Sequence, residues 1–317
     1  MTVASRGERE PPAELDGLVR HVAVERADVK TLEEALGAGV DVLVDVIPFR
    51  AADAEQLLAL GARAASLIAI SSASVYTDGD GRTLDAAEGA DELPELPVPI
   101  PESQPTMPPG DEGYSSGKSA LEHVLLGQSA VPATVIRPCA IYGPGDRQAR
   151  EWHFVKRVLD GRGAVLLAYN GASRFHTTAS ENLGELIRCC AERPGTRALN
   201  CGDPDPPTLL EISRAIAAAL GHERAEFVFP GEAQGVVGRT PWSVPDSRPF
   251  VVDMSTAKRE VRYEPVTGYR EGVAAACDWL VEATRGKDWR EVLPGHARYY
   301  GELFDYAAED DYIALHG

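Results

Sequence analysis

Apolar runs too short to be helices alternate with segments of helical period, and this order leaves few folds open to the chain. Residues 21–24 (HVAV) read as a strand, 32–36 as a helix, 40–46 (VDVLVDV) as a buried strand, 52–61 as a helix and 66–71 (SLIAIS) as a strand again. A helix between successive strands excludes tight hairpins, so the strands run parallel and helices cover the sheet. The expectation is an α/β protein with a doubly wound parallel sheet.

The pattern breaks between residues 77 and 113, a stretch rich in Pro, Asp and Glu (ELPELPVPIPESQPTMPPGDEG). A loop this long in a compact domain is functional or disordered, and its place just after a strand end predicts a lid. Regular structure resumes with a helix over 114–128, a strand at 134–136, a helix over 152–159, a strand at 165–167, a helix over 181–191 and a strand at 198–200. Thr208 is placed to cap a helix over 209–220, with Glu211 completing a capping box and Gly221 closing the helix. Residues 229–250 are dominated by Gly, Pro and polar side chains and read as a surface loop, and a helix over 271–283 follows. The tail carries Tyr299, Tyr300, Phe304, Tyr306 and Tyr312, an aromatic density that predicts packing onto the body or onto a second subunit.

A chain of 317 residues, 44% hydrophobic and 25% charged, can bury a large core and suggests about two domains. Its 49 acidic and 31 basic side chains leave a formal charge of -18, with no basic run. Such a field repels phosphate backbones and argues against nucleic acid or an anionic membrane as partner. No apolar stretch approaches the roughly 20 residues of a membrane span, and the N-terminus has no signal-peptide core, so a cytoplasmic location is expected. The five cysteines (Cys139, Cys189, Cys190, Cys201, Cys277) are odd in number and lack metal-ligand spacing, which predicts reduced, mostly buried thiols and no metal site.

Chemistry concentrates in three segments. In Tyr114-Ser115-Ser116-Gly117-Lys118, residues four apart share a helix face, so phenol and ammonium project side by side. A phenol titrates near pH ~10 in water, and a neighbouring cation favours its ionised form, which suits Tyr114 to acid/base work. Alone the spacing is weak, since any helix carries it by chance. It gains weight from Ile70-Ser71-Ser72-Ala73-Ser74-Val75-Tyr76, where an apolar strand ends in hydroxyls, because open α/β sheets bind ligands at the carboxyl ends of their strands. The third segment, Arg137-Pro138-Cys139-Ala140-Ile141-Tyr142-Gly143-Pro144-Gly145-Asp146, runs from a strand into a Pro/Gly turn shaped for close approach to a ligand.

In these three segments the chain resembles the extended branch of the short-chain dehydrogenase/reductase superfamily, the NAD-dependent epimerases and dehydratases. ISSASVY looks like that branch's serine-bearing strand end, YSSGK like its catalytic helix and RPCAIYGPGD like its RPxxxYGPG segment. DMSTAKREVRYEPVTGYREGVAAACDWL is similar to the closing segment of its substrate domain, so the likeness spans essentially the whole chain. It implies a Rossmann-like dinucleotide-binding domain over residues 1–150, with contributions from 176–203, and a smaller mixed α/β substrate domain with the aromatic tail over 151–317. Carried over by position, Ser72 matches the catalytic serine, Tyr114 the general acid/base, and Lys118 the residue that lowers its pKa and holds the nicotinamide ribose. The cofactor, NADP or NAD, would meet Arg6, Glu25, Arg26, Pro48, Ser71 and Pro138 besides Tyr114 and Lys118. A small-molecule substrate, a nucleotide sugar among the candidates, would meet Ser74, Tyr142 and Arg174. Glu25 is equally readable as a solvated strand-end carboxylate, and Arg174 is about one residue out of register with the family's phosphate-binding arginine. The helix of Tyr114 forms a dimer face in many relatives, so a homodimer is a further expectation from the resemblance.

The family's dinucleotide domain begins with a strand, a G-x-x-G-x-x-G turn and a helix whose N-terminal amides hold the pyrophosphate. No such glycine run occurs in these 317 residues; Gly37-Ala38-Gly39 follows a helix and lacks the third glycine. Residues 2–4 align with the family's second strand and Ser5-Arg6 with the turn after it, where an arginine suits a 2'-phosphate. The sheet is thus expected to lack its usual first strand. A true start upstream of Met1, supply of that strand by another chain, and a fold rearranged around its loss all stay open. The last goes with a degenerate, non-catalytic relative that binds a ligand or protein partner; an RNA-associated relative is opposed by the charge.

Overall fold

The structure, a computed structural model, describes residues 1–7, 15–85 and 90–316. The chain begins with β1 (Thr2–Ser5), β2 (Arg20–Ala23), α1 (Val29–Leu36), β3 (Val40–Asp45), α2 (Ala51–Gly61), β4 (Ala64–Ile70), α3 (Tyr114–Leu126) and β5 (Ala133–Pro138). It continues through β6 (Ala140–Tyr142), α4 (Trp152–Leu159), β7 (Ala164–Leu167), β8 (Thr177–Ala179), α5 (Ser180–Glu192), β9 (Arg197–Cys201), α6 (Leu209–Ala219) and β10 (Ala225–Val228). The remainder is helical: α7 (Ser255–Val261), α8 (Tyr269–Thr284), α9 (Trp289–Val292), α10 (Pro294–Tyr300) and α11 (Tyr306–His316). The chain divides into two compact units, the first made of Met1–Ser71, Pro108–Val135 and Cys190–Ala198, the second of Ser72–Met107, Ile136–Cys189 and Leu199–Gly317.

In the first unit β4 is the strand that both faces of the sheet bury, which its near-continuous apolar sequence Ala-Ala-Ser-Leu-Ile-Ala-Ile requires. It pairs in parallel with β3, Val40 opposite Ala64, in a sheet of order β3-β4-β5-β9. Helices α2 and α3 pack together over this sheet, and Ala54, Leu57, Leu67, Leu121 and Leu125 form the core between them. β1 and β2 form a separate parallel pair, with Thr2 opposite Arg20. Among the described residues no strand joins that pair to β3, so the parallel sheet is in two pieces where a first strand was expected to be lacking. The same break corrects the reading of residues 40–46 as a buried strand. β3 is an edge strand, half-buried, with Val44 37% exposed.

In the second unit two short parallel pairs, β6 with β8 and β7 with β10, accompany a core of α4, α6 and α8 side chains around Phe154, Ile212, Trp242 and Val273. The expected lid is anchored here over its described part. Ile100 is buried with Ala73, Tyr76, Phe250 and Val252 and bridges to Val252, and Gln104 Nε2 donates to the Thr77 carbonyl at 2.7 Å. Residues 86–89 of that stretch lie outside the described residues. The expected surface loop at 229–250 is also different in kind, since Trp242, Val244 and Phe250 are buried. Its irregular backbone carries core side chains between Gly and Pro turns, a pattern without period. The capping box of α6 forms as expected, the Thr208 hydroxyl accepting from Glu211 N at 3.2 Å and the Glu211 carboxylate from Thr208 N at 2.7 Å. The aromatic tail packs within this unit, burying Trp289, His296 and Leu303. All five cysteines are free.

Candidate functional site

Tyr114 opens α3 directly after Gly113, whose φ of 84° lies in the region that favours glycine and lets the chain turn sharply into the helix. One turn on, the buried Lys118 Nζ donates to the Pro48 carbonyl at 2.7 Å and to the Ile70 carbonyl at 2.9 Å. Those carbonyls sit just past the end of β3 and at the end of β4, so the ammonium is fastened to the carboxyl ends of two parallel strands. Gly117 makes this approach feasible, because a Cβ there would stand 3.0 Å from the Phe49 carbonyl oxygen. Lys118 Nζ lies 5.7 Å from the centre of the Tyr114 ring, which also stands 5.4 Å from the Phe49 ring. Tyr114 itself is 41% exposed. Burial pulls the Lys118 pKa down to about 8, against the opposing pull of Asp45 and Asp53. Next in the chain after Ile70, the Ser71 hydroxyl is buried with no hydrogen-bond partner. An ammonium has three donors, and two are used on carbonyls. A buried hydroxyl and a partly committed ammonium are groups that a polar ligand would complete.

Arg26, expected at the cofactor, is held by two carboxylates. Its two terminal nitrogens donate to Asp45 at 3.0 and 2.5 Å and its Nε to Asp53 at 2.9 Å. Asp53 also accepts from the Phe49 and Arg50 amides at 2.6 and 3.0 Å, capping α2 and fixing the turn that carries Pro48. Asp45 and Asp53 were not singled out in the sequence. The available signal was an acid at a strand end and another in the first turn of the next helix. Glu25 is exposed, its carbonyl accepting from Asp28 N. Arg6 is exposed in the turn after β1, followed by Gly7 at φ 73°.

The remaining expected residues belong to the second unit. The Ser72 hydroxyl accepts from Ser74 N at 3.2 Å and caps a single 3-10 turn over Ala73–Val75, with Ser72 and Ser74 both half-buried. Below this turn lies a network that sequence reading missed. Tyr76 donates to Asn200 Oδ1 at 2.6 Å, and Arg137 donates to the Tyr76 hydroxyl at 3.1 Å with its guanidinium 5.0 Å from the ring centre. Pro138 ends β5 and is buried. Tyr142, expected at a substrate, is 1% exposed with its ring 4.8 Å from that of Tyr269, so it packs the core. Arg174 is exposed and donates to the Pro206 carbonyl at 3.0 Å. Among the described residues no group of His, Cys, Asp and Glu is arranged to hold a metal ion, and no helix is long and apolar enough to cross a membrane.

The first unit therefore brings Tyr114, Lys118, Pro48 and Ser71 to the ends of β3 and β4, with Arg26 braced on β3. An exposed phenol beside a buried ammonium is equipped to exchange a proton with a bound oxygen.

No family model matches the chain. It is 27% identical over 246 residues to 3beta-hydroxysteroid-dehydrogenase/decarboxylase isoform 1 of Arabidopsis thaliana, covering 67% of this chain and 52% of that protein. An uncharacterized protein of Methanocaldococcus jannaschii is 24% identical over 180 residues, 56% of this chain and 51% of the other. The chain thus spans about half the length of the curated relatives it matches. Among solved structures, UDP-N-acetylglucosamine 4-epimerase from Bacillus cereus superposes with a TM-score of 0.63 at 15% identity, over 87% of this chain and 88% of that one. UDP-glucuronic acid 4-epimerase from the same organism, in complex with UDP-glucuronic acid and NAD, superposes with a TM-score of 0.58 at 17% identity, over 84% and 82%. The parallel α/β architecture is the one these structures share.

Proposed function

We propose that the chain is a member of the extended short-chain dehydrogenase/reductase superfamily, in the branch of NAD-dependent epimerases and dehydratases, and that it is an NAD(P)-dependent enzyme acting at a carbinol or carbonyl carbon of a small molecule. The observation that carries this reading is the fastening of Lys118 to the carbonyls of Pro48 and Ile70, with the Tyr114 phenol beside it. Tyr114 takes the proton from a substrate hydroxyl, or returns it to a carbonyl oxygen, and Lys118 stabilises the phenolate. By the resemblance, Ser72 is the serine of this step. Lys118 and Ser71 would hold the nicotinamide end of the cofactor and Pro48 would line it, while by the resemblance Pro138, Glu25, Arg26 and Arg6 would be further contacts, Arg6 suiting a 2'-phosphate. The bound nicotinamide supplies the hydride acceptor or donor. A glycine-rich strand-turn-helix for the pyrophosphate is not among the described residues, so the fit is made at the nicotinamide end.

A nucleotide sugar is the substrate class we favour, since sugar-nucleotide epimerases are the structural neighbours; Ser74 and Arg174 are its contacts on this reading. The steroid-dehydrogenase relative keeps a hydroxylated ring system as the alternative. The test is a titration of the 317-residue chain with NADH and NADPH, followed by turnover of wild type and Tyr114→Phe on candidate sugar nucleotides. We expect saturable binding of one cofactor and a loss of roughly 10²- to 10⁴-fold in kcat for the variant. Full turnover by Tyr114→Phe overturns the acid/base assignment.

A second reading, a non-catalytic relative that binds a ligand or protein through the same strand ends, is supported by the unpaired outer side of β3 among the described residues. Binding of neither nucleotide in that titration would select it.

A further inference from the structure

We propose that Arg26, Asp45 and Asp53 form a charged clamp that fixes where Lys118 sits and balances its charge, which makes all three positioning residues for proton transfer at Tyr114. The inference rests on the assignment of Tyr114 and Lys118 to that transfer and adds the groups that govern the lysine. Among the described residues Lys118 makes no ion pair of its own; the charges act on the carbonyl to which it is fastened.

That carbonyl belongs to Pro48, in the turn between β3 and α2, and accepts from Lys118 Nζ at 2.7 Å. A carboxylate holds each flank of the turn. Asp45 Oδ1 accepts from the Ile47 amide at 3.1 Å, and Asp53 Oδ2 accepts from the Phe49 and Arg50 amides at 2.6 and 3.0 Å. One guanidinium joins the two flanks, Arg26 donating to both oxygens of Asp45 at 3.0 and 2.5 Å and through Nε to Asp53 Oδ1 at 2.9 Å. The backbone of Arg26 is tied in turn to α2, where Gln56 Nε2 donates to its carbonyl at 2.7 Å. A planar fork can span two carboxylates in this way and a point charge cannot. The Pro48 carbonyl therefore does not drift from Lys118 unless the bridge breaks.

The bridge also sets a charge balance. Two carboxylates face one guanidinium, and the Lys118 ammonium is the fourth charge that brings the group to neutrality. The Asp45 and Asp53 side chains are 12% and 24% exposed, so water screens them only in part. Burial lowers the Lys118 pKa to about 8; Asp45 and Asp53, and after them Glu122 on α3, pull it upward, and Arg26 pulls it down. Arg50, which approaches Gly117 from the start of α2, and the Tyr114 phenol are the other ionisable groups packed nearby.

The chain has only five lysines, so isotope labelling of lysine lets NMR follow the Lys118 side chain through a pH titration of the full chain, with Lys118→Met to assign its signal. Arg26→Gln should raise the Lys118 midpoint and Asp45→Asn should lower it, each by about half a pH unit or more. Arg26→Gln/Asp45→Asn removes one charge of each sign and should return the midpoint to within about 0.3 of wild type; it also stands in where Arg26→Gln alone fails to fold. Arg26→Lys keeps the charge and loses the fork. Its midpoint should stay near wild type, while hydrogen exchange of the Lys118 ammonium, measured near pH 6, should quicken about fivefold or more. Midpoints that stay still, or that move the same way in Arg26→Gln and Asp45→Asn, overturn the proposal, as does unchanged exchange in Arg26→Lys. The titration uses neither substrate nor nucleotide, so a missing clamp and a missing hydride reaction show themselves in separate measurements.

Discussion

Lys118 has two of its three donors on backbone carbonyls, so its position does not depend on a charged partner, while its charge depends on pH. Burial lowers its pKa from 10.5 to about 8. The ammonium is present below that value and is lost as pH rises through it, taking with it the stabilisation of a Tyr114 phenolate. The proposed reaction should therefore lose activity above pH ~8, and Lys118→Arg, charged throughout, should lack that alkaline fall while running more slowly because a planar fork does not fit two carbonyl sites built for an ammonium. A pH–rate profile from 6.5 to 9.5 on both proteins decides it; an alkaline limb retained in the arginine variant would assign the fall to another group. Tyr114 and Lys118 were legible because one helix turn places them together, a purely local relation. Asp45 and Asp53 were not, because they meet Arg26 from 19 and 27 residues away and only the fold brings them there. Tyr142 misled for the opposite reason. An aromatic beside glycines has the same sequence appearance whether it faces a ligand or the core.

Elements with a strong period were legible in the same way. Strand β4 and helices α2, α3, α4, α6 and α8 lie within a residue or two of their expected places. The three- and four-residue strands β6, β8 and β10 were missed, being too short to show alternation. The docking of the tail followed from its aromatic content, but the side chain that fastens it did not. Glu309 of α11 meets Arg157 of α4 at 2.5 Å with both buried, and Arg157 also donates to the His153 and Leu303 carbonyls at 2.7 Å. Breaking a buried pair from one side strands a charge. Glu309→Leu should cost about 3–5 kcal/mol in urea unfolding, and adding Arg157→Met should recover part of it by removing that charge. If the double variant is no more stable than Glu309→Leu, the ion pair is not what fastens α11 to α4.

Across the whole molecule the alternation of short apolar runs and helices sufficed for the α/β class, because it depends on order alone. The balance of buried ionisable groups depends on packing and sets how stability varies with pH. Burial holds His153 and His176 below their usual 6.5 and takes His296 down to about 4. The unfolded chain binds more protons at these sites below 6.5, so stability rises with pH up to that point. Glu151 acts in the other direction. Burial, and then Asp146, raise its pKa from 4.5 to about 8, with the Tyr269 hydroxyl donating to it at 3.3 Å. Here the folded state holds the extra proton, so its contribution is fully present below 4.5 and is lost as pH rises through 8. Between pH 6.5 and 8 the histidines lose their last protons in the unfolded chain, and Glu151 is the group whose loss of a proton costs stability, opposed only near the top of the interval by Lys118, whose pKa is lowered to about 8. The wild-type melting temperature should fall by several degrees across that interval, for a loss of roughly 2 kcal/mol. Glu151→Gln keeps an acceptor for Tyr269 and has no proton to lose, so its melting temperature should stay level from pH 6.5 to 8 and exceed the wild-type value at pH 8. Thermal unfolding of the two proteins at three pH values across this range measures the difference directly, and parallel curves would place the controlling group elsewhere.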